Sequence, residues 1–298
     1  MTSAIVRYNR PPLTLPMYLR GIFMPREPLL PEGVTVANMT ALLDAQRIEP
    51  RHLSRYREIC GFPDSPLLPV TYPHALALPL QLALMSDARF VVRLMGLVHI
   101  ANVIEVLRPM PVDHSYDLRA SVAGHRDSDR GQEIDLLLEM SDGDGPIWRE
   151  TTTLLARRPV TGPGAARAAR EVLRYEKPSA DAPVTRVPLE APANIGRRYG
   201  WASGDINPIH LADISAKPFG FDRAVAHGMW SLARLLAAID GRGCRVPCRI
   251  KVDFKLPVFL PATLQLEHWS VGRREVFVLK DGAGARPHLA GAIEPIDA

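Results

Sequence analysis

His227-Gly-Met-Trp-Ser-Leu-Ala-Arg-Leu-Leu-Ala-Ala238 reads as a helix that is apolar nearly all round, through Met229, Trp230, Leu232, Leu235, Leu236 and the following Ile239. A helix without a polar face must be covered on most sides. The residues after it supply the cover. CRIKVDFKLPVFLP (248–261), a stretch through Leu264, Leu266 and His268, and EVFVLK (275–280) are strand-like runs, several alternating at period two. That period marks half-buried antiparallel strands.

The same succession occurs earlier in the chain. Tyr56-Arg-Glu-Ile-Cys60-Gly61-Phe62 parallels Tyr199-Gly-Trp-Ala-Ser203-Gly204-Asp205. His74 opens a second apolar run, ALALPLQLALM (75–85). Strand-like stretches follow at 98–111, through Tyr116, Leu118, Ala120 and Val122, and at 134–140. A repeated helix-plus-strands unit predicts two copies of one supersecondary fold. Each unit is a buried helix wrapped by a curved antiparallel sheet, so the expected fold is an α+β double hot-dog with a continuous sheet. The expected layout is a first unit at 1–156, a connection at 157–193 and a second unit at 194–298. The Pro-rich residues 1–35 are expected to form an irregular arm over the core, and the Ala/Arg/Pro-rich connection to hold one short helix around Ala165–Tyr175.

Composition narrows the function. The chain has 298 residues, with 36 basic and 32 acidic side chains and a net charge of +4. Without a block of like charges, nucleic acid is not the expected partner. The apolar run 75–85 is too short for a bilayer, and MTSAIVRYNRPPLTLP lacks the apolar core of a signal peptide. A cytoplasmic protein that does not engage membranes is the natural expectation. Three cysteines make no secreted framework; Cys244 and Cys248 are read as reduced thiols.

The segment YGWASGDINPIHLADISAKPFGFDRAVAHGM (199–229) resembles the MaoC-like hydratases and dehydratases, the (R)-specific enoyl-CoA hydratase group. The matching residues are Ser203, Gly204, Asp205, Asn207, Pro208, His210, Gly220, Phe221, Ala226, His227, Gly228 and Met229. The resemblance covers about residues 195–270. It implies a hydro-lyase of acyl-thioester metabolism that adds water reversibly, and syn, to trans-2-enoyl thioesters on CoA or an acyl-carrier protein, with no metal or organic cofactor.

The chemistry fits the residues. Hydration needs a held water, a base for it and a proton for C2. Asp205 and His210 are the candidate catalytic pair, brought together by the Asn207-Pro208 turn. Which of them takes the proton is left open. Ser203 and Asn207 are candidate substrate-side residues, Asn207 chiefly as a turn former. Gly228 or Met229, at the opening of the buried helix, would offer an N–H to the thioester oxygen. His227 is read as packing at the helix start. The first unit has Phe62 and Leu67 where Asp205 and His210 stand, and its His follows its Tyr by 18 positions rather than 28, so one active site per chain is expected. Pro79 inside the first helix is expected to break it and leave room for acyl carbons. A thioesterase is disfavoured because Gly228–Ile239 carries no acid. A non-catalytic acyl-thioester-binding subunit is the other alternative, and a homodimer is compatible with the sequence.

Overall fold

A computed structural model describes residues 4–158, 175–240 and 246–297. Its organising feature is one sheet of eleven strands, in the order β1-β2-β4-β5-β6-β3-β8-β11-β10-β9-β7. In chain order these are β1 (Ala4–Tyr8), β2 (Met39–Arg47), β3 (Leu97–Val106), β4 (Ser115–Ser128), β5 (Gly131–Asp142), β6 (Gly145–Arg157), β7 (Thr185–Ala191), β8 (Cys248–Phe254), β9 (Ala262–Val271), β10 (Arg274–Asp281) and β11 (Pro287–Pro295). The two units meet at β3 and β8, paired antiparallel from Ala101↔Asp253 to Val106↔Cys248. On either side of that seam the order is mirrored, so β2 and β7 occupy equivalent outer places. The continuous double hot-dog sheet is therefore present.

The described helices are α1 (Thr14–Phe23), α2 (Pro50–Cys60), α3 (Tyr72–Ser86), α4 (Ile195–Ser203), the short α5 (Asp213–Ala216) and α6 (Gly228–Asp240). The central helices α3 and α6 are buried, as their apolar surfaces require. One core cluster spans both units, from Met39 in β2 to Leu289 in β11. Trp230 of α6 donates from Nε1 to the Ile59 carbonyl of α2, tying the second unit's helix to the first unit. No helix among the described residues is long and apolar enough to cross a membrane.

Four expectations are revised. Residues 185–191, assigned to the connection, form strand β7, so the second unit's sheet begins there; the helix expected around 165–175 lies largely outside the described residues. The arm is ordered. Its β1 pairs in parallel with β2, and α1 packs on α3. Helix α3 runs unbroken through Pro79. Proline removes one N–H and crowds the preceding turn, but burial of most of this helix holds it together. The room for acyl carbons inferred from a broken helix accordingly loses its basis. Finally, Cys248 is disulfide-bonded while Cys60 is free and buried. Cys244 lies outside the described residues.

Candidate active site

Helix α4 and the loop after it build the site. Gly204 ends α4 in the left-handed region at φ 82°, and Gly61 ends α2 at the same φ, so the two units share this turn. Beyond it the first unit places the buried Phe62 and the second places Asp205. Ser203 Oγ donates to the Tyr199 carbonyl and accepts from the Asp205 N–H. Asp205 Oδ1 accepts from the Asn207 N–H, and Asn207 Oδ1 accepts from the Ile209 N–H. That last bond caps the 3₁₀ turn Pro208–His210 and brings His210 back toward Asp205.

The loop lies against α4 because α4 carries glycine one turn apart. A Cβ on Gly196 would stand 1.9 Å from the His210 carbonyl oxygen, and one on Gly200 would stand 2.8 Å from that of Asp205. Only glycine permits so close a backbone approach at 196.

Two imidazoles sit beside the carboxylate. His210 Nδ1 lies 2.6 Å from the Val225 carbonyl. A carbonyl only accepts, so Nδ1 carries the proton and, in the neutral ring, Nε2 holds the lone pair. His227 Nε2 donates to the Asp205 backbone carbonyl at 2.9 Å and lies 3.7 Å from Asp205 Oδ2. The two rings stack with centroids 3.6 Å apart. Burial lowers the pKa of His210, outweighing the raising effects of Asp205 and the Val225 carbonyl. Burial pushes His227 down to about 3. For Asp205 burial acts upward, but the His227 and His210 rings, the Tyr18 hydroxyl and the Asn207 N–H hold it below its ordinary value. These directions favour neutral imidazoles beside an ionised carboxylate at neutral pH.

One atom from each of Asp205, His210 and His227 lies within 4.8 Å of the others. A water donating two hydrogen bonds of about 2.8 Å spans such a gap.

The candidate residues from the sequence are gathered, with differences of role. Ser203 and Asn207 spend their side chains on the turn itself. Gly228 opens α6, but a Cβ there would stand 3.0 Å from the Phe254 ring, so the glycine makes room for that ring in the first place. Met229 is buried. His227 does more than pack, since it braces the Asp205 main chain.

Two features escaped the sequence reading. Tyr18, in the arm, donates to Asp205 Oδ1 at 2.5 Å; no motif marks it. In the first unit His74 Nδ1 lies 2.8 Å from the buried Glu150, which also accepts from Asn102 Nδ2. The signal for Glu150 was a charge on the inward row Trp148-Glu150-Thr152-Leu154, all buried.

Fold and site together define a double hot-dog hydro-lyase. The MaoC like domain family matches residues 174–292. Over 266 residues the chain is 31% identical to 3-hydroxyacyl-thioester dehydratase X of Mycobacterium tuberculosis, covering 89% of this chain and 92% of that protein. It is 26% identical over 212 residues to the peroxisomal enoyl-CoA hydratase 2 of Arabidopsis thaliana, covering 66% and 68%. The crystal structure of HtdX of M. tuberculosis superposes with a TM-score of 0.73 at 30% identity, over 86% of this chain and all of that one. The chain belongs to the MaoC-like dehydratase family.

Proposed function

We propose that this enzyme interconverts trans-2-enoyl and (R)-3-hydroxyacyl thioesters, carried on CoA or an acyl-carrier protein, with His210 as the base and Asp205 as the water-holding carboxylate. The observation that carries the assignment is the Val225 carbonyl on His210 Nδ1, which fixes the tautomer and leaves Nε2 as the lone-pair nitrogen. Asp205 Oδ1 already accepts from Tyr18 and Asn207, so Oδ2 is the oxygen left for the water. In hydration the water's O–H bond breaks toward His210 Nε2 as its oxygen bonds C3. The C2=C3 electrons move toward the thioester oxygen, where the opening N–H groups of α6 at Gly228 and Met229 would meet the charge. The imidazolium then returns its proton to C2 on the same face. Dehydration reverses each step. No cofactor enters this sequence. The names of two relatives, a 3-hydroxyacyl-thioester dehydratase and an enoyl-CoA hydratase, support this substrate class.

The test is loss of conjugated-thioester absorbance with crotonyl-CoA and with a longer enoyl-CoA, with free thiol measured in parallel. Hydration without thiol release is expected. Asp205→Asn and His210→Ala should each lower kcat by about 10²–10⁴-fold while the protein stays folded. Near wild-type turnover in either variant, or stoichiometric thiol release, would sink the assignment.

A further inference from the structure

The inward row of α1 is Thr14, Tyr18 and Gly21, spaced to lie along one helix face. The Thr14 methyl lies 3.3 Å from where a Cβ on Gly204 would stand, and a Cβ on Gly21 would meet the Leu94 side chain at 2.7 Å. These contacts seat the arm over the turn that presents Asp205. Between them Tyr18, 5% exposed, sends its hydroxyl to a carboxylate 187 positions away. On the outer side Leu15, Leu19, Ile22 and Phe23 stay exposed, while the inward side packs against α3, Leu94 and the turn before Asp205.

We propose that Tyr18 is a positioning residue of the hydro-lyase site, holding Asp205 Oδ1 so that Oδ2 alone receives the reacting water. This rests on the role assigned to Asp205 above. A carboxylate fixed only at its main chain can rotate about its last torsion and exchange its two oxygens. Here one oxygen is pinned by a buried hydroxyl and the Asn207 N–H, while the other lies 3.7 Å from His227 Nε2. Hydrogen bonds to a charged acceptor are short and strong. The groups facing Asp205 are Tyr18 from α1, His210 from the 3₁₀ turn and His227 from the α6 opening, with Tyr199 of α4 tilted against His227 and with His74 of α3 and His99 of β3 interacting electrostatically from the first unit. Tyr18 comes from an element outside the repeated unit, so the second unit's site is completed by the arm.

Tyr18→Phe keeps the ring and removes the donor. A bond to a charged group lost in this way should lower kcat by about 10–100-fold and leave KM within about threefold. In an Asp205→Asn background the same change should cost nothing further, because Tyr18 acts through that carboxylate. NMR titration of ¹³C-labelled aspartate should show the Asp205 carboxyl titrating higher in Tyr18→Phe, since a donor to the charged form is gone. If Tyr18→Phe does not fold, 3-fluorotyrosine at position 18, a stronger donor, should move the Asp205 titration downward. The inference is overturned if Tyr18→Phe keeps wild-type kcat, if it costs the same factor in both backgrounds, or if the Asp205 titration stays put. Wild-type turnover in Asp205→Asn overturns the parent reading with it, whereas an inactive Asp205→Asn beside a fully active Tyr18→Phe overturns this inference alone.

Discussion

Gly196→Ala is a one-methyl change that should disable the site from behind. The new Cβ would stand 1.9 Å from the His210 carbonyl oxygen, and contacts under 3.0 Å are not tolerated, so the gap must open by at least 3.0 − 1.9 = 1.1 Å. The oxygen belongs to the main chain of the 3₁₀ turn, so no side chain can rotate out of the way. The turn must move away from α4 and carry the His210 ring with it. Misplacing a reacting group by about 1 Å costs on the order of 10²-fold in rate. Stability should change much less. Overpacking costs about 1–3 kcal/mol, while alanine in a helix gains about 0.8–1.0 kcal/mol over glycine. Gly200→Ala meets the Asp205 carbonyl at 2.8 Å, a deficit of 3.0 − 2.8 = 0.2 Å. Its kcat should stay within a few-fold of wild type. Gly143→Ala, with nothing within 4 Å of its Cβ, is the control. Initial rates of enoyl-thioester hydration and the thermal midpoint, read for all three, test the order. If Gly196→Ala retains wild-type kcat, or if Gly200→Ala is the worse of the two, then backbone packing of α4 against the loop does not set the catalytic geometry.

The buried pair of the first unit should show in the pH dependence of stability. For His74 burial acts downward, but the Glu150 carboxylate outweighs it and leaves the pKa raised; for Glu150 burial acts upward, but His74 and Asn102 leave it lowered. The histidine contribution is present below its ordinary value of 6.5 and lost as pH rises through the raised one; the glutamate contribution is present above 4.5 and lost as pH falls through the lowered one. Urea unfolding should find the pair's contribution largest between those two values, and Glu150→Gln should remove that maximum at a cost of about 1–3 kcal/mol; a profile identical in shape to wild type refutes this. Phe62→Ala empties a buried position in the first unit and should destabilise by about 3–5 kcal/mol with kcat per folded molecule unchanged. Leu67→Ala, at 39% exposure, should change the unfolding midpoint little; a loss of kcat in either variant contradicts a single active site.

What the sequence made legible followed from periodicity and from one motif. Helix α6 had to be buried because it has no polar face, and the alternating runs had to cover it; both expectations hold. The repeat placed Phe62 opposite Asp205, and the shared left-handed glycines Gly61 and Gly204 bear this out at the backbone. Strand β7 was missed because it is an outer strand carrying Pro188 and follows directly on a Pro-rich connection, so the short alternation of Val187, Leu189 and Ala191 was read as part of that connection; its place is decided by pairing with β9. Helix α3 was misjudged at Pro79 because local propensity yields to burial in a packed helix. Tyr18 was out of reach for a different reason. Its importance lies in a contact across 187 positions, and nothing local in TLPMYLRGIF announces the partner.

The two units diverge in where they keep their charge. In the second unit the charge stands at the turn after α4, where Asp205 is reached by His210, His227 and Tyr18 and its side chain keeps 28% of its exposure. In the first unit the same turn is apolar at Phe62, and the charged pair has moved inward, onto His74 at the start of α3 and Glu150 on β6, where the carboxylate is fully buried. A buried pair whose partners are fixed by Asn102 and Thr152 is well satisfied and has little capacity left for a substrate. A half-buried carboxylate with one oxygen pinned and one open has that capacity. The repeated fold thus holds two acid-base groupings of opposite character: a closed one that steadies the first unit's helix, and an open one at the second unit's turn, covered by an arm that belongs to neither repeat.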